Sequence, residues 1–439
     1  MTKDVNQIKK LVHDAVFGAD AQTRDSSILK IRKLAAERGL YLASIQGLYE
    51  AAGKGKYSGK TVPAMNIRGL TFDTARAVFR AALKDKVGAL IFEIARSEIG
   101  YTLQRPAEYT ACVLAAAIAE GFQGPVFMQG DHFQINAGKY RADPQKELNA
   151  VTDLIEEAVA AGFYNIDIDA STVVDLSKAT IEEQQKENSR ITAEMTRFIR
   201  KLQPQGITIS IGGEIGEVGT TNSTVEDLDA FMSGYKKLIG PDIKGISKIS
   251  VQTGTSHGGV VLPDGSIAKV KLDFKTLEDL SRTAREKYGM GGAVQHGAST
   301  LPDEAFHKFP EVGTLEVHLA TGFQNIVFDS PHFPNELIKK INDILVEKYA
   351  TERKSGETDE QFLYKTRKKA FGDFKKEMWS LPESTLIAIG VELEDRFSLL
   401  FQKLNVVNTT GLVKKYVKPL PAQYTDVFIN DFNYGSHKP

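Results

Sequence analysis

Cysteine is almost absent from this chain: a single residue, Cys112, stands in 439 positions. No intrachain disulfide can form, no thiolate cluster is available to a metal, and a cytoplasmic address is the expected one. Excess charge of either sign is also missing. Lys and Arg number 55 against 56 Asp and Glu, a formal net charge of -1, so there is no field to draw in nucleic acid or an anionic membrane. Long apolar runs are lacking too. Nothing approaches ~18 uninterrupted apolar residues, and the segment from Met1 to Gln7 has no basic stretch leading into an apolar core. Neither secretion nor a membrane span is expected, and the function has to be argued from a site.

What is present is enough for a large core. Hydrophobic residues make up 42% of the chain, and an α/β barrel commonly takes ~250 residues as one unit. Short β-like runs alternate with helical stretches, the pattern of repeated βα units around a parallel sheet. The runs are Thr61 to Asn66, Val87 to Ile94, Pro125 to Gly130, Tyr164 to Asp169, Ile207 to Gly212, Ile246 to Gln252, Gly292 to His296 and Gln324 to Asp329. Eight is the number a closed (β/α)8 TIM barrel requires. Between them, Thr71 to Lys84, Pro144 to Ala161 and about Thr180 to Leu202 carry helical spacing. The expected organisation is a helical extension over 1–55, the barrel with its site over 56–345, and a second helical extension over 346–439. The apolar tail around Leu399-Leu400-Phe401 suits packing on a partner subunit or back on the barrel.

Three histidines directly follow strand-like runs: His132 in Gln129-Gly130-Asp131-His132, His257 in Gly254-Thr255-Ser256-His257-Gly258, and His296 in Gln295-His296-Gly297-Ala298-Ser299. A lone histidine is usually an ordinary packed or exposed side chain, and His13, His307, His318, His332 and His437 are read that way. Histidines at three strand ends differ, because in a (β/α)8 barrel those ends converge on one rim. Three imidazoles with an open position suit a catalytic Zn2+, or another divalent cation. Asp131 precedes His132, so by strand alternation their side chains diverge, and Asp131 reads as an acid or base beside the metal. Glu214 and Asp169 end two further runs. Each reads as a further ligand, a carboxylate orienting a histidine, or a solvated rim group. Lys248 is expected to face outward. Arg96 reads either as an anion contact or as a surface arginine, and Lys365-Thr366-Arg367-Lys368-Lys369 as a solvated helix face or a phosphate site.

The segments Pro63-Ala64-Met65-Asn66, Asp131-His132, Gly213-Glu214-Ile215-Gly216, Gly254-Thr255-Ser256-His257-Gly258, His296-Gly297-Ala298-Ser299 with Pro302-Asp303-Glu304, and Asn325-Ile326 occur in that order. In this the chain resembles the class II fructose-bisphosphate and tagatose-bisphosphate aldolases over roughly residues 43–345. The resemblance implies His132, His257 and His296 as Zn2+ ligands; Glu214 as a further ligand and Asp169 as a carboxylate behind the histidines rest on the reading of the strand ends above. The resemblance also implies Asp131 as catalytic acid/base, and Glu226, with Glu217 in reserve, as the glutamate that moves the proton on the enediolate carbon. Asn66 and Asn325 would take the ketone's oxygens, and Gly258, Gly297 and Ser299 its phosphate.

The chemistry fits those residue types, since breaking a C–C bond beside a ketone leaves an enediolate that a chelated cation stabilises. The match departs from the family at Gly259-Val260-Val261, at Ala298 and Thr300, at Val327-Phe328 and at Ala95. These touch substrate identity more than reaction type. The expected activity is reversible retro-aldol cleavage of a ketose (bis)phosphate such as fructose 1,6-bisphosphate to dihydroxyacetone phosphate and an aldehyde. A different sugar phosphate or ketose is the first alternative, and a metal-dependent hydrolase on the same barrel the second. The resemblance further implies a homodimer or homotetramer and a small-molecule sugar phosphate as substrate.

Overall fold

Eight parallel strands close on themselves in the computed structural model, which describes residues 3–216, 221–254, 262 and 272–419. They are β1 (Val62–Asn66), β2 (Ile91–Ala95), β3 (Met128–Gln134), β4 (Asn165–Asp169), β5 (Ser210–Glu214), β6 (Lys248–Val251), β7 (Ala293–Gln295) and β8 (Glu316–Leu319). Each pairs with its neighbour in sequence, and β8 returns to β1 with Glu316 opposite Val62 and Leu319 opposite Met65. The closed ring with outer helices is the expected (β/α)8 barrel, and it gathers all eight C-terminal strand ends on one rim.

The helices Thr71–Lys84 and Pro144–Ala161 form where the spacing predicts them. The third is Ile181–Leu202, started by a reciprocal cap: Glu183 N–H donates to the Thr180 hydroxyl while Thr180 N–H donates to the Glu183 carboxylate.

Two sequence expectations are corrected. Gln324 to Asp329 is not a strand; it belongs to the helix Thr321–Asp329, and the eighth strand lies ahead of it at Glu316–Leu319. Buried Phe323, Val327 and Phe328 gave that helix the apolar density of a buried strand, and short apolar runs do not separate the two by periodicity. The true strand was hidden by its charged residues. Lys248 does not face outward either: it is fully buried, with Nζ 2.5 Å from Glu316, 3.0 Å from Asp167 and 2.8 Å from the Gln129 amide oxygen. The barrel interior thus holds an ionic network in place of the usual branched aliphatic layers. Tyr49 joins it, its hydroxyl donating to Glu316.

The N-terminal segment is not purely helical, since Leu40–Leu42 pairs in parallel with Gly124–Val126. The tail packs back on the barrel: Leu393, Phe397, Leu400 and Phe401 are buried, and the Phe397 and Phe323 rings lie 4.7 Å apart. Among the described residues no helix is long and apolar enough to cross a membrane.

Candidate functional site

The rim residues converge because β3 breaks its alternation. Its register against β4 shifts between Gly130 and Phe133, and His132 takes a positive φ of 40°. Gly130 makes room for this, since a Cβ there would meet the Phe133 ring at 2.5 Å. The irregularity turns Asp131 and His132 into the same cleft, which corrects the expectation that adjacent strand residues diverge. A non-glycine residue in the left-handed region costs on the order of 1–3 kcal/mol and persists where the surroundings over-determine it.

Asp131, His132 and His296 each present a ligand atom, all within 4.8 Å of one another. The His132 and His296 ring centroids are 4.0 Å apart. Glu214 Oε2 lies 3.5 Å from His296 Nδ1 and 3.9 Å from His132 Nδ1, while its Oε1 accepts from Gly216 N–H at 2.6 Å. Asp169 stands behind His132, 3.2 Å from its Nδ1, and is itself held by Gln134 and Ser171. That is the arrangement by which a carboxylate orients a ligating ring. Two imidazoles with carboxylates fit a divalent cation chemically.

His318, read from sequence as an ordinary histidine, is central here. Its Nδ1 is 3.0 Å from Asp131 Oδ1 and 2.8 Å from His296 Nε2, and its Nε2 is 2.6 Å from Glu316. Burial opposes its charge, but Glu93 and Asp131 outweigh it and raise its pKa well above the usual histidine value. Asp131 moves the other way: burial opposes ionisation, yet His132 and His318 hold its carboxyl well below the ordinary range. Burial pushes the Glu93 carboxyl well up, and the Asp131 charge adds to it. Burial and the two neighbouring imidazoles depress His296. Imidazole ligates only in its neutral form, so cation binding here is coupled to proton release.

Asn66 and Ser299 line the same cleft, as do Gly297, Arg68, Glu98 and Lys368, and it encloses about 800 Å³ including its open mouth. Asn66 donates to Glu98, and its own Oδ1 is buried with no hydrogen bond among the described residues. Ser299 Oγ accepts from Ala320 N–H. Other predicted residues are elsewhere. Asn325 sits on the helix after β8, not at a strand end, donating to the Tyr364 hydroxyl and accepting from Arg367. Glu226 is exposed in the first turn of the helix Val225–Ile239 and does not line the cleft. Arg96 is paired with Glu147 at 2.5 Å. His257, Gly258 and Glu217 lie outside the described residues.

The model of fructose-bisphosphate aldolase class-II matches residues 43–379. The chain belongs to that family. It is therefore an enzyme family of aldolase type, with members generally dependent on a divalent metal, and the described residues include groups able to hold one. None of the curated proteins matches the chain. Among solved structures it is similar to a fructose-bisphosphate aldolase from Campylobacter jejuni, at 17% identity over 84% of this chain and 97% of that one, with a TM-score of 0.50. It is also similar to a probable tagatose 6 phosphate kinase from Sinorhizobium meliloti 1021, at 15% identity over 84% and 96% with a TM-score of 0.52. A third is the fructuronate-tagaturonate epimerase UxaE from Cohnella laeviribosi, at 12% identity over 79% and 82% with a TM-score of 0.56. At these identities the likeness is one of fold.

Proposed function

We propose that this class II aldolase family member is a zinc-dependent lyase that reversibly cleaves a ketose phosphate, with fructose 1,6-bisphosphate first among the candidates, into dihydroxyacetone phosphate and an aldehyde. The observation that carries the reading is the meeting of Asp131, His132 and His296 on the C-terminal rim, each with a ligand atom within 4.8 Å of the others. His132 and His296, with His257 and Glu214 as the further expected ligands, would hold the cation. When bound, it would supply Lewis acidity to the charge that builds on the ketose oxygens as the C–C bond breaks, an effect worth several kcal/mol.

The chain's own residues do the rest. Asp131, ionised at neutral pH, takes the proton from the hydroxyl at the bond being broken and returns it in the reverse direction, a service typically worth ~100- to 10,000-fold. His318, 3.0 Å behind it, keeps the carboxylate aimed. The open Oδ1 of Asn66 accepts a substrate hydroxyl, and Gly297 and Ser299 are assigned to the phosphate. For the proton on the neighbouring carbon, Glu226 or Glu217 remains the assignment, on the segment after β5. Asn325, bonded to Tyr364 and Arg367 outside the cleft, is given no contact with the ketone oxygens in this reading. A cytoplasmic, homodimeric or homotetrameric enzyme completes the reading.

The test is a panel on zinc-loaded protein, offering dihydroxyacetone phosphate or dihydroxyacetone with several aldehydes and following new ketose by mass. Product with glyceraldehyde 3-phosphate establishes bisphosphate chemistry. Product with another pair reassigns the substrate, and full activity after exhaustive chelation rejects the reading.

A further inference from the structure

The helix Gln46–Gly53 lies at the end of the barrel opposite the cleft, against the starts of the strands. Its neighbours fix it there. Ile45 N–H, just ahead of it, donates at 2.9 Å to the side-chain oxygen of Asn165, the first residue of β4. Gly47 lies so close to the Tyr416 carbonyl, and Gly53 to the Met290 carbonyl, that neither position has room for a Cβ. From this helix Tyr49 points into the barrel. It is fully buried, and its hydroxyl donates to Glu316, the first residue of β8.

The two oxygens of Glu316 are occupied unequally. Oε1 accepts from the Lys248 ammonium at 2.5 Å and the Gln129 amide at 2.9 Å, and lies 2.6 Å from His318 Nε2. Oε2 has Tyr49 as its one hydrogen-bond partner among the described residues. The last torsion of a glutamate is broad and nearly two-fold, so a carboxylate gripped at one oxygen can still turn. A donor on the other oxygen stops it. Tyr49 therefore sets the plane of the group that holds His318.

That hold matters because the far edge of the imidazole has a choice of partners. Nδ1 lies 3.0 Å from Asp131 Oδ1, 3.2 Å from Glu93 Oε2 and 2.8 Å from His296 Nε2. Around Nε2, beyond Glu316, stand Gln129 Nε2 at 3.4 Å and Asp167 Oδ2 at 3.7 Å. One ring nitrogen cannot serve three neighbours equally, and a small tilt of the ring exchanges Asp131 for Glu93. Precise aim at a reacting group depends on such outer contacts being fixed.

We propose that Tyr49 is a positioning residue for Asp131, acting through Glu316 and His318, so that the helix at the far end of the barrel is part of the active enzyme. This rests on reading Asp131 as the acid/base. Tyr49 does not line the cleft; it acts only by keeping the His318 ring turned towards Asp131.

The test is Tyr49→Phe in the full chain, which keeps the ring and removes the hydroxyl alone. Zinc-loaded wild type and variant are compared by steady-state kinetics on the ketose that the substrate panel identifies, with zinc content measured beside them. Displacing a reacting group by ~1 Å costs ~100-fold, so a smaller misalignment predicts a kcat about 10-fold lower, with KM and zinc per chain unchanged. In the same zinc-loaded protein labelled with 15N-histidine, the His318 ring resonances, assigned by their absence from His318→Gln, are expected to shift in Tyr49→Phe. An unchanged kcat overturns the proposal. So does a fall in kcat with those resonances unmoved, or one that tracks a loss of zinc or a rise in KM. The two readouts also separate this proposal from the aldolase reading. If the panel gives no turnover while Tyr49→Phe moves the His318 resonances, the reaction assignment fails and the coupling of Tyr49 to His318 stands. If turnover is seen with a kcat indifferent to Tyr49→Phe, the positioning role fails and the reaction stands. No turnover and unmoved resonances together remove both.

Discussion

His318 Nδ1 lies 3.0 Å from Asp131 Oδ1, and the same imidazole bonds through Nε2 to Glu316 at 2.6 Å. The carboxylate at the rim is thereby tied to the ionic network below it. His318→Ala is expected to lower kcat about 100-fold, at the low end of general acid-base contributions, while leaving bound zinc near one per chain. Metal analysis beside kinetics checks this; zinc lost in step with turnover would make His318 a ligand.

The candidate ligands and the acid/base should separate on the same two readouts. His132→Ala and His296→Ala are expected to lose both metal and turnover, since each removes a nitrogen from the cluster. Asp131→Asn is expected to keep metal and lose at least about 100-fold in kcat. Metal retained at full stoichiometry in both histidine variants would remove the basis of the zinc assignment.

Lys248 offers a stability test away from the chemistry. It is fully buried between Asp167 and Glu316, and removing one partner of a buried pair strands the other charge. Lys248→Met is expected to destabilise the fold by about 3–5 kcal/mol, read by urea denaturation. A change within about 0.5 kcal/mol would mean the carboxylates are neutralised some other way.

Glu316 sets an acid dependence. Burial opposes its charge, but Lys248 and His318 outweigh it and take its pKa from 4.5 to about 2. A folded-state pKa below the unfolded one contributes stability that is full above about pH 4.5 and is lost as pH falls towards 2. Glu93, with its carboxyl pushed up by burial and Asp131, acts in the opposite sense. Denaturation of wild type and Glu316→Gln across that window isolates the term: the variant is expected to be less stable at neutral pH and flatter between 4.5 and 2.

The tail's docking is testable at Phe401, fully buried in the main core. Phe401→Ala is expected to cost about 3–5 kcal/mol, measured as a shift of the denaturation midpoint with unchanged slope. A negligible shift would mean that the tail is not part of the cooperative fold.

Much of this architecture was legible in the chain because period and punctuation are local properties. Seven of the barrel strands lie within or beside runs seen in sequence, and Thr71–Lys84 and Pro144–Ala161 match their predicted bounds. The eighth strand was not legible. Glu-Val-His-Leu has a burial pattern that makes sense only inside a polar barrel, while the helix behind it mimics a buried strand. The available signal was Val-His-Leu-Ala-Thr following the Gly313 turn, at the distance from β7 that one more unit needs.

The alternation of strand-like and helical runs and the order of the rim motifs follow from period and spacing, and they determined the barrel and the aldolase family, while the lack of thiolates left nitrogen and oxygen as the donors available to a metal. What faces what was decided only by the tertiary structure. The irregularity in β3 turned Asp131 and His132 into one cleft, closure of the ring brought His318 and Lys248 against residues far away in sequence, and the returning tail set Lys368 beside Arg68. Side-chain direction at an irregular strand, and contact between residues hundreds of positions apart, depend on how the whole chain packs and leave no local period to read.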